Sequence, residues 1–179
     1  ARKYSLVICW GLLERDRGQF YNSCLVAFPD GRWGCQRKGV PSPEEKRDRF
    51  GMDTRSRVFR WRGVPFGILI CSDAAWLSLR WQLQQRGVQL LLHPSAGRLG
   101  KARKYNRAAE RMFLGGGQQL ARGMRMWYAV ANPIGLSGED CYPGNSWILD
   151  ADGNVRVHLP GTNRVREMRD SLGVATIRM

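Results

Sequence analysis

The residues best suited to chemistry in this sequence surround a cysteine at the end of an apolar run. Residues 66–71 read Phe-Gly-Ile-Leu-Ile-Cys, and Ser72, Asp73 and a helix-forming stretch follow. A helix N-terminus favours the thiolate form of a nearby cysteine, because its partial positive charge stabilises the anion. Backbone N–H groups at such a turn can bind an oxyanion, and Ser72 or Asp73 can cap the helix. The pattern is typical of two situations, a nucleophilic thiol at Cys71 and a buried structural cysteine.

A lysine and two glutamates form a second candidate group upstream. Lys38 ends a strand-like stretch, Glu44 and Glu45 follow in a proline-containing loop, and the neighbouring Arg37 is interpreted as surface charge. A lysine beside a cysteine can stabilise a developing oxyanion, and a carboxylate can orient that lysine. Alone, this segment is an ordinary charged loop. Together with Cys71, it indicates nucleophilic catalysis.

The cysteines and histidines do not have the spacing of a metal site. There is no Cys-x-x-Cys pair, and the two histidines, His93 and His158, are 65 positions apart. We therefore expect no metal and no cofactor. Several thiols lie in or beside apolar segments, which favours reduced cysteines and a reducing compartment, the cytoplasm or an organelle. The five cysteines are Cys9, Cys24, Cys35, Cys71 and Cys141.

The charge balance is strongly basic. The chain has 29 lysines and arginines against 15 acidic residues, a net charge of +14. Such an excess attracts anionic partners, and basic residues interleaved with aromatic ones can bind single-stranded nucleic acid. The alternative is a solvated strand whose aromatic side chains turn inward, so we expect weak and nonspecific nucleic-acid binding at most. The densest stretch contains Arg55, Arg57, Arg60 and Arg62 with Phe59 and Trp61.

The elements that must position these residues alternate between strand-like and helix-like segments. This alternation predicts an α/β or α+β protein with a largely buried sheet, as a single domain over residues 1–179. No apolar run approaches the ~20 residues of a membrane helix. Helices are predicted over 73–86 and over 101–125, the second interrupted by glycines at 115–117. Strands are predicted over 5–10, 24–28, 58–62, 65–70, 88–93, 127–132, 146–150, 155–158 and 174–177.

Taken in order, the motifs resemble the nitrilase superfamily of carbon–nitrogen hydrolases. The resemblance extends over essentially the whole chain, and it is the ordered set of short motifs that carries it. The motifs are Tyr21-Asn22-Ser23, Pro29-Asp30-Gly31, Arg37-Lys38, Glu45, Ile70-Cys71-Ser72-Asp73, Pro94-Ser95-Ala96, Ala121-Arg122, Ala129-Val130-Ala131-Asn132, Gly144-Asn145-Ser146 and Asp150-Ala151-Asp152-Gly153.

The resemblance implies a Glu-Lys-Cys site. Cys71 matches the nucleophile that forms a thioester or thioimidate, and Lys38 matches the lysine that stabilises the tetrahedral intermediate. Glu45 matches the second glutamate of the family, with Glu44 as its near rival. The backbone N–H of Ser72 is expected to serve the oxyanion. The residues expected to contribute to oxyanion or substrate binding are Ser72, Asp73 and Ser95.

The resemblance also implies an αββα sandwich that is N-terminally incomplete. The family's general-base glutamate is expected on a strand upstream of residue 1, and Glu14 matches a different, non-catalytic position. The leading hypothesis is a hydrolase of nitrile, amide or N-carbamoyl substrates, acting in a homo-oligomer or with a companion chain that supplies the N-terminal strands. The alternative is a catalytically inactive, structural or RNA-associated subunit.

Overall fold

The structure, a computed structural model, describes residues 1–97, 107–137, 140–162 and 172–176. The chain forms two compact units, Ala1–Val88 and Gln89–Met179, and the residues around Lys38 and Cys71 belong to the first. That residues 1–179 act as one domain stays a prediction. Among the described residues, no helix has the combination of length and apolarity that crossing a membrane requires.

The first unit opens with a three-stranded antiparallel sheet. Strands β1 (Ile8–Asp16), β2 (Gln19–Ala27) and β3 (Trp33–Arg37) are neighbours in that order. The tight turn between β1 and β2 places Arg17 and Gly18 at positive φ, 48° and 83°, which suits the right-handed twist of a hairpin. The first strand begins later than predicted, because a 3-10 turn over Arg2–Tyr4 precedes it.

The rest of the first unit carries the candidate site. It contains helix α1 (Pro43–Arg47), strands β4 (Val58–Trp61) and β5 (Val64–Ile68), a 3-10 turn over Cys71–Ala75, and helix α2 (Leu77–Gln85). The predicted strands over 58–62 and 65–70 correspond to β4 and β5, which form a hairpin whose turn residues, Arg62 and Gly63, both have positive φ. The predicted helix over 73–86 is wrong in its first turn, since Trp76 is extended and separates the 3-10 turn from α2.

The second unit combines a mainly antiparallel set of strands with one long helix. Strand β6 (Leu90–Pro94) lies parallel to β7 (Trp127–Ala131), β7 pairs antiparallel with β10 (Ser146–Leu149), and β10 pairs with β11 (Val155–Leu159). A separate hairpin joins β8 (Ile134–Ser137) to β9 (Asp140–Pro143), which the sequence pattern did not predict. Helix α3 (Arg107–Met124) connects β6 to β7 along the chain.

Two predictions for the second unit are corrected. The glycines at 115–117 do not interrupt α3, because helical hydrogen bonds continue through them and Gly117 lies against Trp147 of β10. Residues 172–176 form no strand, and the remaining predicted strand residue, 177, lies outside the described residues. Residues 101–106 of the second predicted helix also lie outside them.

Each unit contains fully buried apolar side chains. In the first, β2, the end of β5 and α2 contribute Val26, Ile68, Leu69 and Leu83, each at most 1% exposed. In the second, Leu91, Met126 and Leu149 are buried to the same degree. Burial of such side chains contributes about 1.5–3 kcal/mol each relative to exposure.

Candidate active site

Lys38 lies immediately after β3 and carries its ammonium group into the protein. Its backbone N–H donates to the carbonyl of Asn22, 2.8 Å away, which continues the pairing with β2 by one residue. Its side chain is only 4% exposed, and Nζ lies 2.6 Å from Oε2 of Glu45. A buried ammonium requires such a partner, because desolvation disfavours an isolated charge.

Glu45 is held in place by α1 and by β2. Pro43 starts the short helix, and Ser42 caps it. The Ser42 backbone N–H donates to Glu45 Oε2 at 2.6 Å, and its hydroxyl accepts from the Glu45 N–H at 3.3 Å. Asn22 Nδ2 donates to the other carboxylate oxygen at 2.6 Å. Burial alone would raise the pKa of Glu45, but the hydrogen bonds from Asn22, Lys38 and Ser42 outweigh it and hold that pKa below its ordinary value.

Cys71 lies at a sharp turn after β5. The chain leaves the strand, and Cys71 itself has φ 49°, in the left-handed region that a residue with a Cβ rarely adopts. Its side chain is half-buried. Such a conformation costs free energy, of the order of 1–3 kcal/mol, and persists only where the surroundings stabilise it.

The carboxylate of Asp73 helps to stabilise this turn. It is 1% exposed, and its carboxylate accepts hydrogen bonds from the backbone N–H groups of Gly39 at 3.1 Å, Val40 at 2.8 Å and Ile70 at 3.1 Å. Burial raises the pKa of Asp73 above its ordinary value, although these N–H donors and the charge of Lys38 act in the opposite direction. The carboxylate thus ties the segment after Lys38 to the turn that carries Cys71.

Ser72 makes a second link between the same two segments. Its hydroxyl donates to the carbonyl of Val40 at 2.7 Å. Neither Ser72 nor Asp73 caps α2, which has no side-chain cap. Their contacts are those of positioning residues, and a direct contact with substrate stays a prediction for both. Ser95 belongs to the second unit, where its N–H donates to the carbonyl of Ala131 at 2.9 Å, and its role also stays a prediction.

A family model described as carbon–nitrogen hydrolase matches residues 1–166 of this chain. The chain belongs to the carbon–nitrogen hydrolase family. The resemblance drawn from the motifs is therefore confirmed.

Relatives of this carbon–nitrogen hydrolase chain include two curated proteins. An (R)-stereoselective amidase from a Pseudomonas species is 32% identical over 91 residues, which cover 51% of this chain and 33% of the amidase. A glutamine-dependent NAD(+) synthetase from Acinetobacter baylyi is 25% identical over 162 residues, which cover 87% of this chain and 28% of the synthetase. The chain thus spans a third or less of the length of these two relatives.

The fold of this carbon–nitrogen hydrolase chain is shared with solved structures. A mutant of the Nesterenkonia AN1 amidase from the nitrilase superfamily superposes with a TM-score of 0.75 at 21% identity, covering 90% of this chain and 60% of that amidase. At this identity the likeness shows the fold alone. It confirms the prediction of an α/β fold of the nitrilase type.

The sequence pattern of this family member did not predict the ion-pair cluster around Arg37, the residue before Lys38. Arg37, interpreted as surface charge, contacts Glu14 at 2.5 Å and Asp16 at 2.7 Å, and its guanidinium lies 3.9 Å from the ring centroid of Tyr21. The hydrogen bond from Arg37 lowers the pKa of Glu14 to about 2. The alternation of residues on paired strands was the available signal, because it puts Glu14 and Arg37 on one face of the β1–β3 sheet.

Proposed function

We propose that the chain carries the lysine, the orienting glutamate and the nucleophilic cysteine of an amide-hydrolysing site. The observation that supports this most is the buried Lys38–Glu45 pair, linked through Asp73 and Ser72 to the turn that holds Cys71. A cation with little exposure, held beside a strained cysteine turn, suits stabilisation of an anion that forms during a reaction. Family membership and the amidase relative support a carboxamide as substrate class.

The proposed reaction has two halves. The Cys71 sulfur attacks the amide carbonyl carbon, the carbonyl oxygen takes the negative charge, and collapse of this intermediate breaks the C–N bond. The proton lost by the Cys71 thiol is transferred to the leaving nitrogen, so the amine departs neutral and the acyl group stays on sulfur as a thioester. Water then attacks the thioester, the C–S bond breaks, and the carboxylic acid and the free thiol are released.

Each residue has a separate proposed task in this scheme. The ammonium of Lys38 and the backbone N–H of Ser72 stabilise the oxyanion. Glu45 orients Lys38. Because Glu45 accepts hydrogen bonds from Asn22, Lys38 and Ser42 and has a lowered pKa, it is a weak base, and we do not assign the removal of protons to it.

Ammonia release from a panel of aliphatic and aromatic carboxamides, nitriles and N-carbamoyl amino acids tests the proposal. We expect no turnover from residues 1–179 alone, and we expect a protein that also carries the general-base glutamate predicted upstream of residue 1 to hydrolyse amides and to show an acyl adduct on Cys71 by mass spectrometry. Cys71→Ala should abolish both, and Cys9→Ala, at a half-buried thiol of β1, should preserve them. Turnover that survives Cys71→Ala would refute the nucleophile. Absence of both turnover and adduct in a folded protein that carries this glutamate would favour the inactive-subunit alternative.

A further inference from the structure

A cleft follows the open edge of strand β4 in the first unit, and none of its lining residues is among those assigned to catalysis. Its volume is about 850 Å³. Three successive residues of β4 line it, and because successive side chains of a strand point to opposite faces, the cleft lies at the edge of the strand. The turn between β2 and β3 forms the opposite wall. The lining residues are Phe28, Gly31, Arg32, Trp33, Val58, Phe59, Arg60 and Arg86.

Strand β4 pairs with β5 on one side, and no described strand pairs with its other side. A two-residue turn joins the two strands, so the residues that flank the turn exchange hydrogen bonds, as does every second pair from there. Pro65, which has no N–H, lies opposite Arg60, and the pairs of Arg60 and Val58 are those without these bonds. The backbone N–H and C=O groups of Val58 and Arg60 therefore point away from β5, towards the open edge.

The backbone just before β4 has partners that these outward groups lack. The Ser56 N–H donates to Oε1 of Gln82 at 3.0 Å, and the Ser56 carbonyl accepts from Nη1 of Arg86 at 2.8 Å. Within the described part of the chain, the outward groups of Val58 and Arg60 form no such hydrogen bond. A strand edge with unpaired backbone groups is a template for pairing with another extended segment.

The side chains around this edge are basic. Arg57, Arg60 and Arg62 are exposed, and no carboxylate in the described ranges forms an ion pair with any of them. Across the cleft, Arg32 pairs with Asp30 at 2.8 Å. Like charges directly opposite each other destabilise a strand pair, so this edge disfavours a second copy of itself and attracts an acidic segment.

The other face of β4 gives the cleft an apolar wall. The ring centroid of Phe59 lies 6.5 Å from that of Phe28 and 5.5 Å from that of Phe66, and Trp61 lies 6.1 Å from Phe28. These rings are part of the packing, so the basic and aromatic stretch around β4 does not present an exposed row of rings on which nucleic-acid bases stack. Free backbone groups, arginines and an apolar wall fit a peptide better than a nucleic acid.

We propose that the edge of β4 binds an extended acidic segment of a partner protein as an added antiparallel strand. The backbone of the segment pairs with Val58 and Arg60. Directly opposite side chains of an antiparallel pair lie on the same face, so the residues opposite Val58 and Arg60 lie beside the arginine and are acidic. The alternate residues face Phe28 and Phe59 and are apolar. The ligand is therefore a segment of about five residues that alternates apolar and acidic side chains.

Fluorescence anisotropy of the purified protein with a labelled, end-blocked peptide Val-Glu-Val-Glu-Val at low ionic strength tests the proposal. N-methylation of either glutamate should weaken binding about fivefold, because each glutamate N–H donates to an outward carbonyl of β4. N-methylation of the central valine is the matched control and should leave the affinity unchanged, since its N–H points away from β4. The analogue Val-Gln-Val-Gln-Val should bind about threefold more weakly, because it lacks the charges.

Amide hydrogen exchange followed by NMR locates the bound peptide. We expect the peptide to slow the exchange of the Val58 and Arg60 amides about tenfold, because they acquire carbonyl partners. The amide of Phe59, which is bonded to β5, is the internal control and should keep its exchange rate.

Matched variants separate the edge from the general positive charge. Arg60→Ala should weaken peptide binding about threefold. Arg15→Ala removes another exposed arginine, which lies opposite Phe20 at the far end of β2 from the cleft, and should leave the affinity unchanged. Circular dichroism checks that both variants keep the fold.

Four outcomes would overturn the proposal. Equal affinities of the two kinds of N-methylated peptide would exclude backbone pairing. Equal losses for Arg60→Ala and Arg15→Ala would mean nonspecific charge attraction. Displacement of the peptide by an equal concentration of an oligothymidylate of the same charge would favour a nucleic-acid surface. Unchanged exchange at Val58 and Arg60 in a protein saturated with peptide would place the peptide elsewhere.

Discussion

Lys38 is an ammonium ion held almost entirely inside the first unit. Bringing its charge and that of Glu45 out of water costs several kcal/mol per ion, and their mutual attraction offsets this only with further hydrogen bonds. Asn22 and Ser42 supply those bonds to Glu45. A buried pair of this kind adds little to the free energy of unfolding. Its main consequence is that a cation is held in a fixed position near the Cys71 turn.

At Cys71, the reactivity of the thiol can be compared with that of its neighbours. Burial raises the pKa of Cys9 to about 11 and that of Cys24 to about 12, and it raises the pKa of Cys35 as well. At pH 7.5 the thiolate fraction of Cys9 is then below about one in a thousand. We expect iodoacetamide to label Cys71 at least tenfold faster than these three, measured by peptide mass spectrometry. Labelling of Cys71 no faster than Cys35 would contradict the activated thiol.

Asp73 and Ser72 link the same two segments but differ in what a substitution removes. Asp73→Asn replaces an acceptor of three N–H groups with an amide whose NH₂ opposes them, so we expect a loss of at least about 2 kcal/mol in unfolding free energy and of most activity. Ser72→Ala removes one hydroxyl bond, for about 1 kcal/mol, but keeps its backbone N–H and most of the activity. Urea denaturation and amide turnover measure both. An equal effect of the two substitutions would argue against the positioning role of Asp73.

At the scale of elements, the ion pair of Glu14 with Arg37 spans the β1–β3 sheet and makes its stability depend on pH. Because the folded pKa of Glu14, about 2, lies below its ordinary value of 4.5, this pair stabilises the fold fully above pH 4.5. The contribution is lost as pH falls from 4.5 towards 2. We expect the difference in urea midpoint between the wild type and Glu14→Gln to shrink from pH 6 to pH 3.

The control for this pH dependence is Asp48→Asn, because Asp48 forms an exposed pair with Arg47 at 3.3 Å. Exposed pairs contribute little, so its difference from the wild type should stay small at every pH. A wild-type to Glu14→Gln difference that does not change between pH 6 and pH 3 would show that the pair does not act through the charge of Glu14.

Helix α3 allows a test of adjacent glycines with opposite surroundings. A Cβ at Gly116 would meet no atom within 4 Å, whereas a Cβ at Gly117 would lie 3.2 Å from the indole of Trp147. We expect Gly116→Ala to raise the unfolding free energy by about 0.5–1 kcal/mol, because alanine loses less backbone entropy in a helix. Gly117→Ala should give no gain, since Trp147 must move. A loss of stability in Gly116→Ala, measured in urea, would contradict the continuous helix.

At the scale of the whole molecule, the net charge of +14 is the dominant electrostatic feature. Like charges repel across the folded surface, and salt screens them over a Debye length that falls from about 30 Å at 10 mM to about 8 Å at 150 mM. We therefore expect Tm to rise over this range in differential scanning calorimetry. A Tm that falls instead would show that attractive pairs such as Glu14–Arg37 outweigh the repulsion.

Assembly with a second copy or a companion chain stays a prediction.

The sequence by itself determined the features that depend on neighbouring residues. The turns at Gly63 and Gly153 follow from local backbone preferences, and the ordered motifs predicted the family. It also indicated the lysine, glutamate and cysteine of the proposed site, because each lies in a recognisable short motif.

Only the tertiary structure decided the features that depend on distant partners. Asp73 accepts hydrogen bonds from N–H groups 33 and 34 positions away, which links two segments of the first unit. Arg37 finds Glu14 and Asp16 on another strand, and Gly117 packs against Trp147 of β10 within a continuous helix. Composition and periodicity indicate only the local conformational preference of each segment. The contacts listed here form between residues far apart in sequence, once the chain has folded. Their free energies then override the local conformational preference.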